Sequence, residues 1–190
     1  MVHKFNPKSI KKLDDEWRRE NLPPIETLKK LGLEATDSVA DIGCGIGYFT
    51  ISAASLIGNN NAFALDTSPE MLAEVELRSK AAGIKNIETV KTEELDLMIP
   101  DESVSFGLMV NVIHEIVDKN QFLEESSRII KPGGRLAIID WEKGETAMGP
   151  PVDHRIGREE LTAMLREINF ESQETMNFTE NFYGLVFSKK

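Results

Sequence analysis

The stretch Asp41-Ile42-Gly43-Cys44-Gly45-Ile46-Gly47-Tyr48 sets one carboxylate beside three glycines at alternate positions. Glycine lets the backbone bend tightly and lets a ligand lie against bare main chain. Free N–H groups at the start of a following helix would face that ligand. The fixed negative charge of Asp41 suits an amine or a hydroxyl, so the ligand need not be a pyrophosphate. Asp66 stands nineteen positions after Gly47, where an acidic side chain can take both hydroxyls of a ribose. His114 and Glu115 are the candidates for a general base, should the chemistry need one. Each group also has a plainer reading. His114 could be a packing histidine beside a helix start, Glu93-Glu94 a solvated acidic pair, and Asp140-Trp141-Glu142 a hydrogen-bonded turn with Trp141 packed. Asp153-His154-Arg155 reads as surface charge, and Cys44 as a small residue that fits the turn.

These residues need elements to hold them. Residues 38–42 form a short apolar strand, and Phe49, Ala53, Leu56 and Ile57 mark the inner face of a helix after the turn. Ala62-Phe63-Ala64-Leu65 is a second strand with Asp66 at its tip. Thr67 or Ser68 then caps a helix running to about Ala82, with Pro69 in its first turn and Glu70 closing a capping box. Asn86–Val90 is a third strand, followed by Glu93 and Glu94. Val104–Val110 is a fourth, apolar enough to be covered on both faces. A helix capped by Asp118 carries Phe122, Leu123, Ile129 and Ile130, and Lys131-Pro132-Gly133-Gly134 breaks it. Leu136–Asp140 is a fifth strand. After a loop over 141–156 come a helix bearing Leu161, Met164, Leu165 and Ile168 and a closing hairpin near 170–177 and 182–188. Upstream of all this, residues 8–19 place Ile10, Leu13 and Trp17 on one helical face. A short helix after Pro23-Pro24 turns Ile25, Leu28 and Leu31 inward and stops at Gly32. This N-terminal part either packs on one edge of the sheet or covers a ligand, with His3, Phe5 and Trp17 as the residues that would touch it.

Alternating strands and helices with right-handed crossovers give an α/β, Rossmann-like three-layer sandwich. Its seven-stranded sheet is mostly parallel and ends in an antiparallel hairpin. Ligands in such sheets bind beyond the carboxyl ends of the strands, and Asp41, Asp66, Glu93, Asn111 and Asp140 all fall there. The ribose acid fits both a nicotinamide dinucleotide and S-adenosylmethionine. The dinucleotide pattern wants a glycine three residues after its second glycine, and Tyr48 holds that position. Asp41 before the turn suits the amino group of a methionyl moiety, and the closing hairpin is foreign to the two-halves dinucleotide plan.

From Leu31 to Lys190 the chain resembles class I S-adenosylmethionine-dependent methyltransferases. Asp41–Gly47 matches their first motif, Asp66 the ribose acid, and Glu93 the acid near the adenine amino group. Pro100-Asp101-Glu102-Ser103 before Val104, and Ile130-Lys131-Pro132-Gly133-Gly134-Arg135-Leu136, resemble the entries to their fourth and fifth strands. The likeness is to small-molecule members of the ubiquinone/menaquinone type. It implies S-adenosyl-L-methionine as cofactor, S-adenosyl-L-homocysteine as product, and a small-molecule methyl acceptor. The implied cofactor set is Asp41, Gly43, Cys44, Gly45, Gly47 and Tyr48 from the turn, Asp66, Thr67 and Met71 after the second strand, and Glu93, Glu94 and Asn111 beyond the third and fourth. Three departures stand out, the first being Glu93 where the family more usually has an aspartate, which alters the reach to the adenine. Ser105 replaces an aspartate often seen early in the fourth strand, which would loosen packing there. Asn111-Val112-Ile113-His114 replaces the box of amino-methylating DNA enzymes. Other readings of the same fold are a silent cofactor-binding subunit and an NAD-dependent oxidoreductase.

Composition narrows the rest. With 190 residues, one domain is expected, a helical cap over 1–33 on a core over 34–190. A net charge of -10 repels nucleic acid and anionic lipid. No apolar run reaches membrane-spanning length, the N-terminus lacks an apolar signal core, and one cysteine makes no internal disulfide. A cytoplasmic monomer or homodimer without a metal site is expected.

Overall fold

The sheet forms in the order β3-β2-β1-β4-β5-β7-β6 in a computed structural model that describes residues 13–144 and 149–190. The strands are β1 (Val39–Ile42), β2 (Ala62–Asp66), β3 (Ile87–Lys91), β4 (Val104–Val110), β5 (Ile130–Trp141), β6 (Phe170–Asn177) and β7 (Phe182–Lys189). β1 to β5 run parallel, and β7 runs antiparallel to both β5 and β6. The helices are α1 (Glu16–Asn21), α2 (Pro24–Lys30), α3 (Thr50–Leu56), α4 (Pro69–Ala81), α5 (Lys119–Ile129) and α6 (Arg158–Glu167).

Both sheet faces are covered, which is why the central strands carry almost no polar residues. On one face Leu22, Leu28 and Leu31 pack with Phe49, Ala53 and Ile57 over Phe106, Leu108 and Ile139. On the other, Phe122, Leu123, Leu161 and Leu165 pack over Met109, Leu136 and Ile138. Leu72 and Val75 of α4 close on Ala64 and Cys44.

Several expectations need correction. Within the described residues the first helix spans only Glu16–Asn21, because Asp15 caps it by accepting the Arg18 N–H at 2.8 Å. His3, Phe5 and Ile10 lie outside the described residues. Ile25 is exposed, since Thr27, Leu28 and Leu31 define the inward face of so short a helix. At α4, Ser68 is the cap. Its hydroxyl accepts from Met71 N–H and donates to Glu70, so Glu70 closes no capping box. Pro132-Gly133-Gly134 does not precede β5 but lies inside it. Ile130 already pairs with Val104, and the ladder resumes at Phe106 and Arg135 across a bulge. A bulge tolerates a proline that has no N–H to give the ladder, and Gly133 takes the positive φ of +75°.

Ser105 does not loosen its surroundings. Its hydroxyl donates to Asp37 at 2.7 Å, and its N–H and the Ser38 N–H reach each other's side-chain oxygens at 3.0 and 3.1 Å. Arg135 then grips Asp37 with one guanidinium nitrogen at 2.7 and 2.8 Å. Asp37, from the loop before β1, thus supplies the carboxylate at this end of β4.

Candidate active site

The carboxyl ends of β1 to β5 share one rim with the start of antiparallel β7, and a cavity of about 1000 Å³ runs along it. Its order follows the sheet: Thr92, Glu93 and Glu94 beyond β3, Asp66, Thr67 and Met71 beyond β2, and Gly43, Cys44, Gly45 and Tyr48 beyond β1. Asn111, His114 and Glu115 follow beyond β4, then Trp141 of β5 and Phe182 of β7. Of the fourteen residues expected to bind or react, twelve line this cavity; Asp41 and Gly47 do not.

The turn is held differently from its sequence reading. The N–H groups of Gly43 and Cys44 both donate to Leu65 O, at 2.8 and 3.0 Å, and that of Gly47 donates to Cys44 O. The Gly45 N–H donates to Asp66 Oδ2 at 2.8 Å. These donors are therefore engaged within the protein rather than facing a ligand. What the turn offers is a bare surface, which suits a nucleoside better than a phosphate. Close approach explains the glycine at 43: its φ is +70°, and a Cβ there would lie 2.5 Å from Val112 Cγ2.

Asp66 is tied into the turn through both oxygens, since Oδ1 accepts the Ser68 N–H at 2.9 Å. Burial raises its carboxyl above the usual range, opposed by these N–H donors. Each carboxylate oxygen can still accept a further hydrogen bond, so two ribose hydroxyls fit. Asn111 sits at φ +60°, a conformation asparagine tolerates, and its buried Oδ1 has no hydrogen-bond partner among the described residues. An acceptor left bare on a cavity wall marks a place for a donor such as an ammonium.

Asp41 lies behind the turn, 3% exposed, and accepts the Thr50 hydroxyl at 2.5 Å. Burial pushes its carboxyl up to about 6 from the ordinary 3.8, with Asp66 adding to the rise and Thr50 and Arg18 opposing it. The sign of the consequence is definite. A carboxyl whose folded pKa is raised contributes nothing unfavourable below pH 4, and costs progressively more up to pH 6, where the cost is full. That cost is about 3 kcal/mol. Asp41→Asn is therefore expected to raise unfolding free energy by up to that amount at pH 8 and by nothing at pH 4, read by urea denaturation at both. A loss of stability at pH 8 would overturn this assignment.

At the other half of the rim, His114 Nδ1 stands 2.7 Å from Asp140 Oδ1. Asp140 is 0% exposed and His114 5%. An ionised carboxylate only accepts, so Nδ1 donates to it, and in the neutral imidazole Nε2 is then the nitrogen with the free lone pair. Asp140 Oδ1 also accepts the Trp141 N–H at 2.7 Å. Asp140 and Trp141 thus lie in β5, paired to Tyr183 and Phe182, rather than in the turn expected over 140–142, and Asp140 also orients a histidine. Glu115 Oε1 lies 3.8 Å from His114 Nε2. Trp141 packs on Phe182 at 4.3 Å and Trp17 on Phe182 at 5.8 Å, an aromatic group at this end.

Four residues escaped or were misread in sequence. Thr92, buried on the cavity wall, carries no motif. Arg18, one position from the inward Trp17, also lines the cavity. Arg155, expected as surface charge, is buried and donates to the carbonyls of Glu142, Gly144 and Pro150. Asp140 needed the β4–β5 register to reveal its partner. Glu93 pairs with Lys91 at 3.0 Å on the outer edge. Burial raises the Cys44 thiol well above its ordinary pKa, the reverse of what a nucleophile needs.

A sheet in this order, with a glycine turn after β1 and an acid at the tip of β2, defines the architecture of the class I S-adenosylmethionine-dependent methyltransferases. Residues 40–138 match the family described as Methyltransferase domain, and the chain belongs to it. It is 32% identical over 130 residues to demethylmenaquinone methyltransferase of Listeria welshimeri, covering 68% of this chain and 52% of that protein. The chain thus spans about half the length of the curated relatives it matches. The crystal structure of a SAM dependent methyltransferase from Aquifex aeolicus superposes with a TM-score of 0.91 at 33% identity, covering 97% of this chain and 99% of that one. The cyclase SpnF superposes with a TM-score of 0.76 at 14% identity, covering 99% and 86%, and shares the fold alone. Neither the oxidoreductase nor the silent-subunit reading gains from these likenesses. No helix among the described residues is long and apolar enough to cross a membrane.

Proposed function

We propose that this protein moves the methyl group of S-adenosyl-L-methionine to a flat, hydroxyl-bearing small molecule and releases S-adenosyl-L-homocysteine. The observation that carries the reading is one cavity with a nucleoside-type half at β1–β3 and an aromatic half at β5–β7, with His114 Nε2 between them. Asp66 would take the ribose hydroxyls, Asn111 Oδ1 the amino group, and Thr92 to Glu94 the adenine end. The bound donor supplies a methyl already activated on a sulfonium, so the protein's main tasks are positioning and exclusion of water.

Trp141 and Phe182 offer ring faces for a planar acceptor, and the Listeria relative's name points to such a ring. His114 Nε2 would take the acceptor's hydroxyl proton as the oxygen gains the methyl; where a ring carbon gains it, that carbon's own proton must then leave to restore the aromatic ring, and the hydroxyl is re-formed. Asp140 holds the productive tautomer and stabilises the imidazolium that results. A volume near 1000 Å³ lies at the upper end of small-molecule pockets, about 300–1,000 Å³, and admits donor and acceptor together.

The test is incubation with methyl-labelled donor and a panel of hydroquinones, catechols and hydroxynaphthalenes. Label should appear in one ring compound with one S-adenosyl-L-homocysteine released per methyl. Labelling of protein or nucleic acid, with every small aromatic refused, would overturn the reading.

A further inference from the structure

We propose that Glu115 selects the acceptor by holding a second hydroxyl next to the one that reacts at His114, so that the substrate is an uncharged ring with two adjacent hydroxyls, methylated on one of them. This rests on the reading of the cavity as a methyl-transfer site with a planar, hydroxyl-bearing acceptor.

His114 and Glu115 share one short turn, Ile113–Glu115, just past β4. The Glu115 N–H donates to Val112 O at 2.8 Å and fixes the turn's backbone. Asp140 holds the imidazole at 2.7 Å from Nδ1, so Nε2 is directed away from it. Glu115 Oε1 lies 3.8 Å from Nε2, and both side chains line the cavity. That separation is too long for a hydrogen bond. With the proton on Nδ1, both atoms are acceptors. Two acceptors cannot satisfy each other, whereas a pair of donors carried by one ligand satisfies both. Adjacent ring hydroxyls are such a pair, because they leave the ring side by side. Hydroxyls on opposite ring carbons point in opposite directions and cannot reach both. The His114 side chain is 5% exposed and that of Glu115 25%, so the reacting hydroxyl lies inward and its neighbour lies toward solvent.

Charge narrows the class further. Among the described residues lining the cavity, Arg18 alone is a lysine or arginine, and six are acids. Arg18 Cζ sits 5.0 Å from the centre of the Tyr48 ring, which follows the glycine turn directly. A ring carboxylate brought beside Glu115 would meet like charge, a repulsive element that discriminates against acidic rings.

The step balances within the site. The inner hydroxyl gives its proton to His114 Nε2, and its oxygen forms the bond to the methyl carbon. The carbon–sulfur bond breaks with its electron pair kept by sulfur, which becomes a neutral thioether. The outer hydroxyl keeps its proton in a charge-assisted hydrogen bond to Glu115. A product turned round for a second transfer would set its ether oxygen against Glu115, so methylation stops at one.

The experiment is calorimetric titration of wild type, Glu115→Gln and Glu115→Ala, each saturated with S-adenosyl-L-homocysteine so that no turnover occurs. The ligands are naphthalene with two adjacent hydroxyls, naphthalene with one hydroxyl, and naphthalene with hydroxyls on opposite carbons of one ring. Wild type should bind the first about 10- to 100-fold more tightly than the other two, the range for a hydrogen bond to a charged group. Glu115→Ala should bind all three alike. Glu115→Gln, whose amide oxygen still accepts, should keep part of the preference. With methyl-labelled donor, wild type should convert the first ligand to its monomethyl ether and no further. Equal wild-type affinity for the three rings would overturn the proposal, as would a Glu115→Ala loss shared equally among them or a second methyl on the first ligand. If wild type took S-adenosyl-L-homocysteine but none of the rings, the aromatic-acceptor reading itself would fall; binding of all three without discrimination removes only the role of Glu115.

Discussion

Replacing His114 by alanine is expected to lower turnover by about 10²–10⁴-fold, the usual contribution of a positioned general base, while affinity for S-adenosyl-L-homocysteine changes by less than about threefold. The separation follows from the rim. His114 lies beyond β4, past Asn111, on the aromatic side of the cavity, whereas the nucleoside half is built by β1 to β3. The alanine variant also leaves Asp140 buried with no histidine, and Asp140 Oδ2 already lacks a hydrogen-bond partner among the described residues, so some stability is lost. Asp140→Asn separates folding from chemistry. An amide in that place no longer requires Nδ1 to carry the proton, and Nε2 then becomes a donor instead of a base. The loss in Asp140→Asn should shrink for acceptors whose hydroxyl is already ionised at the assay pH. A merely structural role for the pair would slow every acceptor equally.

Asp66→Ala is expected to weaken binding of the adenosyl ligand by about 1–3 kcal/mol, the cost of hydrogen bonds to a charged group. Two effects combine. The ribose loses its acceptor, and the Gly45 and Ser68 N–H groups lose theirs at 2.8 and 2.9 Å, so the turn itself is less well held. Asp66→Asn should fall between wild type and alanine, because the amide oxygen replaces one acceptor of two. Burial raises the carboxyls of both Asp66 and Asp41, the latter to about 6. The ionised form of Asp66 is the better acceptor, so affinity should decline as falling pH protonates it. An Asp66→Ala dissociation constant equal to that of wild type, measured by calorimetry, would remove the ribose assignment.

The strand order was readable because the apolar runs are short, buried on both faces and separated by strong punctuation such as Gly58, Pro69 and Gly83. Sequence could not show where hydrogen bonds go. The N–H groups at 43–45 looked free because Leu65 O and Asp66 approach them only once β2 lies beside β1. Pro132-Gly133-Gly134 looked like a break because a bulge and a loop share the same residues. Ser105 looked like a loss because its compensating partner, Asp37, is 68 positions away. Arg18 was passed over, and Asp140 was placed on the rim without its partner, for a related reason. Their significance lies in what each touches or fails to touch, and neither spacing nor residue type records that. The residues that sequence placed on the rim, Asp66, Asn111 and His114 among them, sit at strand ends, where topology alone gathers side chains around one cavity.

The most direct measurement is a crystal structure with S-adenosyl-L-homocysteine. Density for the nucleoside should lie against the bend at 43–45, with both ribose hydroxyls within hydrogen-bond reach of Asp66 and the sulfur facing the His114 side of the cavity. A nucleoside seated elsewhere, or one whose sugar turns from Asp66, would contradict the whole assignment.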